Sequence, residues 1–246
     1  MSKDKDYHAS DQSSVWPQLD DGARQKIVDD YHQAGKTIRI SLFGSEDYPL
    51  TYKGDPTIIA QKAADFVKQN NLDGVDVDYE DTGSFNQNGD GENFLITLTQ
   101  ELRKALPSPQ YLISHAPQSP YFASNDMYPQ GAYLKVHKEV GDQIDFYNVQ
   151  FYNQGDGAYD SCDGLYNNSP EWAPDTTVSG IIKSGIPAEK VIIGKLGEAS
   201  DGGNGYMSPS DIGSCISQQN TKPGGVMAWE WIHAGPDWIK AAKGDL

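Results

Sequence analysis

Six short runs rich in β-branched and aromatic residues recur along the chain, and stretches with helical spacing lie between them. No other feature constrains the fold as much. The runs are 37-TIRISLFG-44, 73-DGVDVDYE-80, 111-YLISHAP-117, 145-DFYNVQFYN-153, 191-VIIGKLG-197 and 225-GVMAWEWI-232, bounded by Gly, Pro, Asn or Asp. Helix signals fill the intervals. Asp55 before Pro56 is an N-cap followed by a first-turn proline, with Ile58, Ile59, Phe66 and Val67 behind it. Phe94, Leu95, Leu98, Leu102 and Leu106 keep the 3.6 period until Pro107 stops it. Asp175 is expected to cap a helix through Val178, Ile181 and Ile182, and Ser208-Pro209 to open one through Ile212, Cys215 and Ile216. A further helix is expected over 20–34, ended by Gly35.

Strand–helix alternation predicts a parallel sheet, either doubly wound or closed as a TIM (β/α)8-type barrel. No Gly-rich phosphate loop follows a strand, which disfavours a nucleotide-binding sheet. Polar and aromatic residues gather at the C-terminal strand ends, at Asp78, Glu80, Gln118, Tyr152, Asn153 and Trp229. A barrel keeps its active site there. The expectation is therefore one barrel domain over 1–246, irregular over 1–15. Only six strands are found where a barrel needs eight, so the first two βα units are expected to be missing from this chain. The protein is expected to be monomeric unless a second chain covers the open barrel edge.

With a net charge of −16 and a pI of about 4.5, nucleic acid and anionic membrane are poor partners, because phosphate binding needs clustered Lys and Arg. No run is long and apolar enough for a membrane helix, and MSKDKDYHASDQ does not read as a signal peptide. Cys162 and Cys215, the only cysteines, are too few for a structural zinc site. They form either one disulfide, which favours an oxidising compartment, or two buried thiols. No metal and no cofactor are expected.

The stretch 73-DGVDVDYED-81 carries the chemistry. Val75, Val77 and Tyr79 alternate with Asp76, Asp78 and Glu80, so a strand sends three apolar side chains to one face and three acids to the other. Same-face neighbours stand roughly 6.6–7 Å apart. Three carboxylates that close cannot all ionise in a low dielectric, so the outermost, Glu80, is expected to hold a proton and serve as a general acid. Glycosidic bond cleavage needs such a donor. A calcium site or a solvated edge strand would be the bland alternative.

This stretch resembles the D-x-x-D-x-D-x-E signature of family 18 glycoside hydrolases, the chitinases and their relatives. Other segments resemble the family in order: 37-TIRISLFGS-45 its third strand, 115-HAPQ-118 the end of its fifth, 145-DFYNVQFYN-153 its sixth and 225-GVMAWEWI-232 its eighth. The likeness covers about residues 16–240 and is closest to small fungal members. It implies that Glu80 protonates the leaving oxygen while the substrate's own acetamido group attacks the anomeric carbon, with retention. Asp78 would orient the acetamido N–H and share a proton with Asp76 or Glu80. Tyr152 would donate to the acetamido carbonyl, and Trp229 would stack on the sugar. Gln118, Gln150, Asn153 and Tyr79 are further substrate-contact candidates, Asn153 standing where most members carry Asp. Trp172, Trp231, Tyr121 and Phe122 are weaker candidates for outer subsites. The implied activity is endo-chitinase, cutting β-1,4 bonds between N-acetylglucosamine units. The alternatives are an endo-β-N-acetylglucosaminidase acting on the chitobiose core of N-glycans, and a non-catalytic chitinase-like lectin. The resemblance also implies a secreted or wall-associated protein.

Overall fold

The computed structural model describes residues 11–246. In chain order the regular elements are α1 (Asp11–Val15), α2 (Asp21–Gln33), β1 (Ile40–Phe43), α3 (Pro56–Gln69), β2 (Gly74–Asp78), α4 (Asp90–Ala105), β3 (Leu112–His115), α5 (Ala132–Val140), β4 (Phe146–Gln150), α6 (Cys162–Tyr166), α7 (Val178–Lys183), β5 (Val191–Leu196), α8 (Pro209–Ser217), β6 (Gly225–Trp229) and α9 (Pro236–Ala242). Each of the six expected runs yields one strand. The described residues therefore hold six strands of the barrel's eight, paired parallel as β1-β2-β3 and as β4-β5-β6. Of the stretch expected to be irregular, 1–10 lies outside the described residues and 11–15 is helix α1.

The caps explain where the helices start. The Asp55 carboxylate accepts from the N–H groups of Thr57 (2.8 Å) and Ile58 (3.3 Å), satisfying two of the unpaired first-turn donors of α3. Behind it Ile59, Ala60, Ala63, Ala64 and Val67 form a fully buried stripe. Ser208 caps α8 through the N–H of Asp211 at 3.2 Å. One cap differs from expectation. Thr177, not Asp175, caps α7, accepting from Gly180 N–H at 3.1 Å. Asp175 sits before it in the left-handed region (φ 63°), where it forms the turn into the helix.

The residues divide into two compact units. One comprises the described residues up to His115 with Lys138–Asp145, and it holds the ladder β1-β2-β3. Here Ser41 lies opposite Asp76 and Asp76 opposite Ser114, so three polar side chains share one face of three adjacent strands. The other face of β2 is core: Val75, Val77 and Tyr79 are fully buried. Burial of each such side chain contributes about 1.5–3 kcal/mol. Two aspartates staple the N-terminal strand ends. Asp73 accepts from Ile38 N–H and Asp145 from Ile113 N–H, both at 2.7 Å.

The second unit, Ala116–His137 with Phe146–Leu246, holds the ladder β4-β5-β6. Strand β5 is buried almost throughout, whereas β6 is half-buried along its length. The contrast follows from position, since β6 has β5 as its one strand neighbour among the described residues. Cys162 and Cys215 form a disulfide that joins α6 to α8, the first of the two states the sequence allowed. No helix of the described residues is long and apolar enough to cross a membrane.

Candidate active site

In the first unit the acid ladder is built as the alternation requires, but it is not an isolated set of carboxylates. Asp76 accepts a hydrogen bond from the Ser41 hydroxyl at 3.2 Å on one oxygen and a short one from the Ser114 hydroxyl on the other. Ser114 in turn accepts from the Arg39 guanidinium. Burial pulls Arg39 below its ordinary value, and the carboxylates of Asp76, Asp145 and Asp73 push back. The innermost acid is thus held by two hydroxyls, with the Arg39 guanidinium behind one of them. Arg39 and Ser114 were not among the expected site residues. Their signal was in the sequence, because Arg39 and Ser41 alternate in TIRIS as Asp76 and Asp78 do in VDVD.

The space beside Asp78 comes from a distortion at the end of β1. Strand register sets Phe43 opposite Asp78. Yet Phe43 has φ 73°, and its ring packs on Tyr79 and Phe94 in the core. Such a conformation costs about 1–3 kcal/mol for a non-glycine residue and concentrates at functional sites. The next residue, Gly44 at φ 109°, donates its N–H to Asp78 O (2.8 Å), and a Cβ on it would stand 3.6 Å from Asp78 Oδ2. On the side of Gly44 the Asp78 carboxylate therefore faces backbone.

Glu80 lies just past the end of β2, half-buried. The residue after it is fixed: Asp81 is 3% exposed and accepts from Thr51 N–H and Thr51 Oγ1–H, both at 2.7 Å. Asp81 thus ties the turn carrying Glu80 to the loop after β1, a role the sequence did not disclose. Tyr79 is removed from the substrate contacts. It is fully buried on the core face, and its hydroxyl donates to Ser84 at 2.6 Å, because the Ser84 proton goes to Asp81 O. Burial pushes its ionisation well above the ordinary tyrosine range, so it stays a neutral core donor. His115 is likewise buried, paired with Thr99 at 3.2 Å and pulled down to about 3 by burial, which excludes it as an acid or base near neutrality.

In the second unit Tyr152 and Asn153 follow β4. Tyr152 is 5% exposed, while Asn153 is exposed with φ 57°. The Asn153 carbonyl oxygen accepts from Gly203 N–H at 2.7 Å, so this end of the amide holds the 202–204 turn and only its amino end is left to offer a substrate. Gln150 is similarly a framework residue. It is 5% exposed and donates to Ala116 O at 2.8 Å, while Gln118, half-buried, bridges to it as a continuation of the parallel pairing. Trp229 ends β6 with 48% of its surface exposed, ahead of a cis peptide bond to Glu230. Among the weaker candidates Tyr121 and Phe122 are fully buried and belong to an aromatic core with Tyr133 and Tyr147. That corrects their assignment, whereas Trp172 and Trp231 are exposed.

Two further polar features of this unit were not expected. Lys195 on β5 is fully buried and donates to Phe151 O (2.8 Å) and Tyr159 O (2.6 Å); burial pulls its ammonium down to about 7 against the opposing charge of Asp160. Glu198, Asp201 and His233 bring metal-capable atoms within 4.8 Å of one another. Both Asp201 oxygens, however, already accept hydrogen bonds, from His233 and from two backbone N–H groups.

Comparison with known proteins identifies the family. The family model described as glycosyl hydrolases family 18 matches residues 9–242. Endochitinase 4 of Metarhizium anisopliae is 29% identical over 184 residues, covering 66% of this chain and 62% of that protein. Endochitinase 4 of Metarhizium robertsii is 27% identical over 213 residues, covering 80% and 61%. The chain thus spans about three fifths of the length of these curated relatives. The crystal structure of a family 18 chitinase from Pseudoalteromonas aurantia matches with a TM-score of 0.71 at 40% identity, covering 86% of this chain and 76% of that one. A fungal endo-beta-N-acetylglucosaminidase of family 18 matches with a TM-score of 0.61 at 20% identity, over 89% and 74%, and speaks for the fold alone. With the family model covering nearly every described residue, the chain belongs to glycosyl hydrolase family 18.

Proposed function

We propose that the protein is an endo-acting chitinase that hydrolyses β-1,4 links between N-acetylglucosamine units by a substrate-assisted, retaining route. The observation that carries this reading is the run of Asp76 and Asp78 on β2 with Glu80 just past its end, Asp76 being held by the Ser41 and Ser114 hydroxyls. Glu80 protonates the glycosidic oxygen as the acetamido oxygen bonds to the anomeric carbon, giving an oxazolinium ion. Water then attacks the same carbon and loses its proton to Glu80. No enzyme carboxylate has to act as nucleophile. Asp78, with backbone rather than side chain beside it at Gly44, takes the acetamido N–H and the developing positive charge. Tyr152 donates to the acetamido oxygen, and Trp229 stacks on the sugar. The disulfide supports action in an oxidising compartment outside the cell.

The test is a product assay on chitin oligomers beside a high-mannose glycopeptide, with Glu80→Gln as control. Oligomers cut by the wild type only, with the glycopeptide intact, are the expected result. Cleavage of the glycopeptide alone would overturn the substrate assignment. Rapid turnover of fully deacetylated oligomers would overturn the substrate-assisted route.

A further inference from the structure

We propose that Asp201 is a positioning residue for Trp229, holding the backbone that aims the indole. This inference rests on the reading above, in which Trp229 stacks on the sugar. Trp229 ends β6 with about half of its surface exposed, so side-chain packing orients it only in part. Its backbone is gripped as well. The Trp229 carbonyl accepts from Gly197 N–H at 2.6 Å, and the following N–H, of Glu230, donates to Asp201 Oδ2 at 3.1 Å. Both polar atoms of the Trp229–Glu230 peptide are thus held by the segment 197–201 that follows β5.

That segment is itself fixed. Asp201 Oδ2 also accepts from Glu198 N–H at 3.0 Å, and Asp201 N–H returns to Glu198 O at 3.1 Å. Trp238 of α9 donates to Gly197 O at 3.0 Å. A Cβ on Gly197 would fall 3.0 Å from Asp201 Oδ2 and 3.1 Å from Glu230 O, so the two segments meet too closely for a larger residue to enter without a shift of a few tenths of an ångström. The other Asp201 oxygen pairs with His233 Nδ1 at 2.5 Å, and His233 N–H donates to Glu230 O at 3.1 Å. Asp201 therefore joins the end of β6 to the end of β5 and closes a loop of contacts through His233. Its side chain is 3% exposed, so water does not replace these bonds readily. Burial works to raise its ionisation, but the two backbone donors and His233 outweigh it and hold the carboxyl below the usual range.

The experiment is a double-mutant cycle on a soluble chitin oligomer with wild type, Asp201→Ala, Trp229→Ala and the double variant. Asp201→Ala is expected to lower kcat/KM by roughly 10- to 100-fold, mainly through KM, because the acid ladder is untouched while the platform is misplaced. On the Trp229→Ala background the same change should lower it by less than about threefold. Asp201→Asn keeps one carbonyl oxygen for the backbone donors and should recover most of the loss. A full Asp201→Ala effect on the Trp229→Ala background, or no recovery with Asn, would overturn the inference. If Asp201→Ala does not fold, Asp201→Asn and Asp201→Ser enter the same cycle, Ser being expected to lose more than Asn. If Trp229→Ala leaves KM unchanged, the sugar-platform reading fails instead. Amide hydrogen exchange of Glu230 then decides for the clamp, with protection in the wild type that is lost in the Asp201 variant. A Glu230 amide that exchanges at loop rates in the wild type would overturn it.

Discussion

The two units spend their polar side chains differently. Around Asp76 in the first, side chains meet side chains: Ser41 and Ser114 donate to Asp76 and Arg39 donates to Ser114, while Asp73, Asp81 and Asp145 tie backbone N–H groups elsewhere in the unit. At the strand ends of the second, bonds to backbone dominate: Gln150 on Ala116 O, Asn153 on Gly203 N, Lys195 on Phe151 O and Tyr159 O, Asp201 on Glu198 N and Glu230 N, with Asp201–His233 as a side-chain pair among them. Side-chain networks set where charge sits, whereas bonds to backbone set the course of loops. The first unit therefore fixes where charge sits beside β2, and the second holds its strand-end loops in shape.

The largest expected effect breaks the first unit's half of that division. Glu80→Gln removes the proton donor without changing shape and should lower kcat on a chitin oligomer roughly 10³-fold with little change in KM. A loss below tenfold would place the proton donor elsewhere. The next breaks the second unit. Its disulfide spans 53 residues of chain, and replacing Cys162 and Cys215 by Ser should reduce stability by about 2–4 kcal/mol in a urea titration. Reductant should have the same effect on the wild type and none on the variant. A wild type indifferent to reductant would leave the second unit held by its backbone contacts alone.

A smaller effect sharpens the comparison directly. Ser41→Ala with Ser114→Ala leaves Asp76 without two donors in a partly buried site and should cost about 2 kcal/mol. Asn153→Ala, whose bond to Gly203 lies in the open, should cost less than about 1 kcal/mol. Equal costs in a denaturant titration would erase the distinction between a charge network and a loop tie.

How much of this was legible follows the same line. All six strands were, because strand runs are local and bounded by turn residues, and the Asp55 and Ser208 caps were read from one or two residues. Helices α5, α6 and α9 were not, since short helices such as CDGLY show less than two turns of period. The acid ladder was legible because its spacing is contained in one strand. Tyr79 showed how that reading can overreach: the alternation that exposes Glu80 also buries its neighbour. Asp201 and His233, separated by 32 positions, leave no local pattern. Arg39 and Lys195 were hidden by a prior, as cations are ordinarily assigned to the surface.

Lys195 offers the most specific prediction, a pH dependence of stability carried by one second-unit side chain. Burial pulls its ammonium to about 7, against about 10.4 in an unfolded chain. Between those values the unfolded chain binds one proton more than the folded protein does, so unfolding is increasingly opposed as pH rises. Below about pH 7 both forms are protonated and the penalty for burying the charge is felt in full. The contribution should therefore grow from pH 7 to 9 by about 1 kcal/mol per unit. Lys195→Met removes the titration while keeping the chain's volume. The difference in unfolding free energy between wild type and variant should accordingly widen in the wild type's favour over that range and stay flat from pH 5 to 6. Parallel curves from pH 5 to 9 would mean that the carbonyls of Phe151 and Tyr159 hold the ammonium charged in the folded state. The second unit would then bury a full cation on two backbone carbonyls with the charge of Asp160 to support it, where the first unit employs three carboxylates for its Arg39.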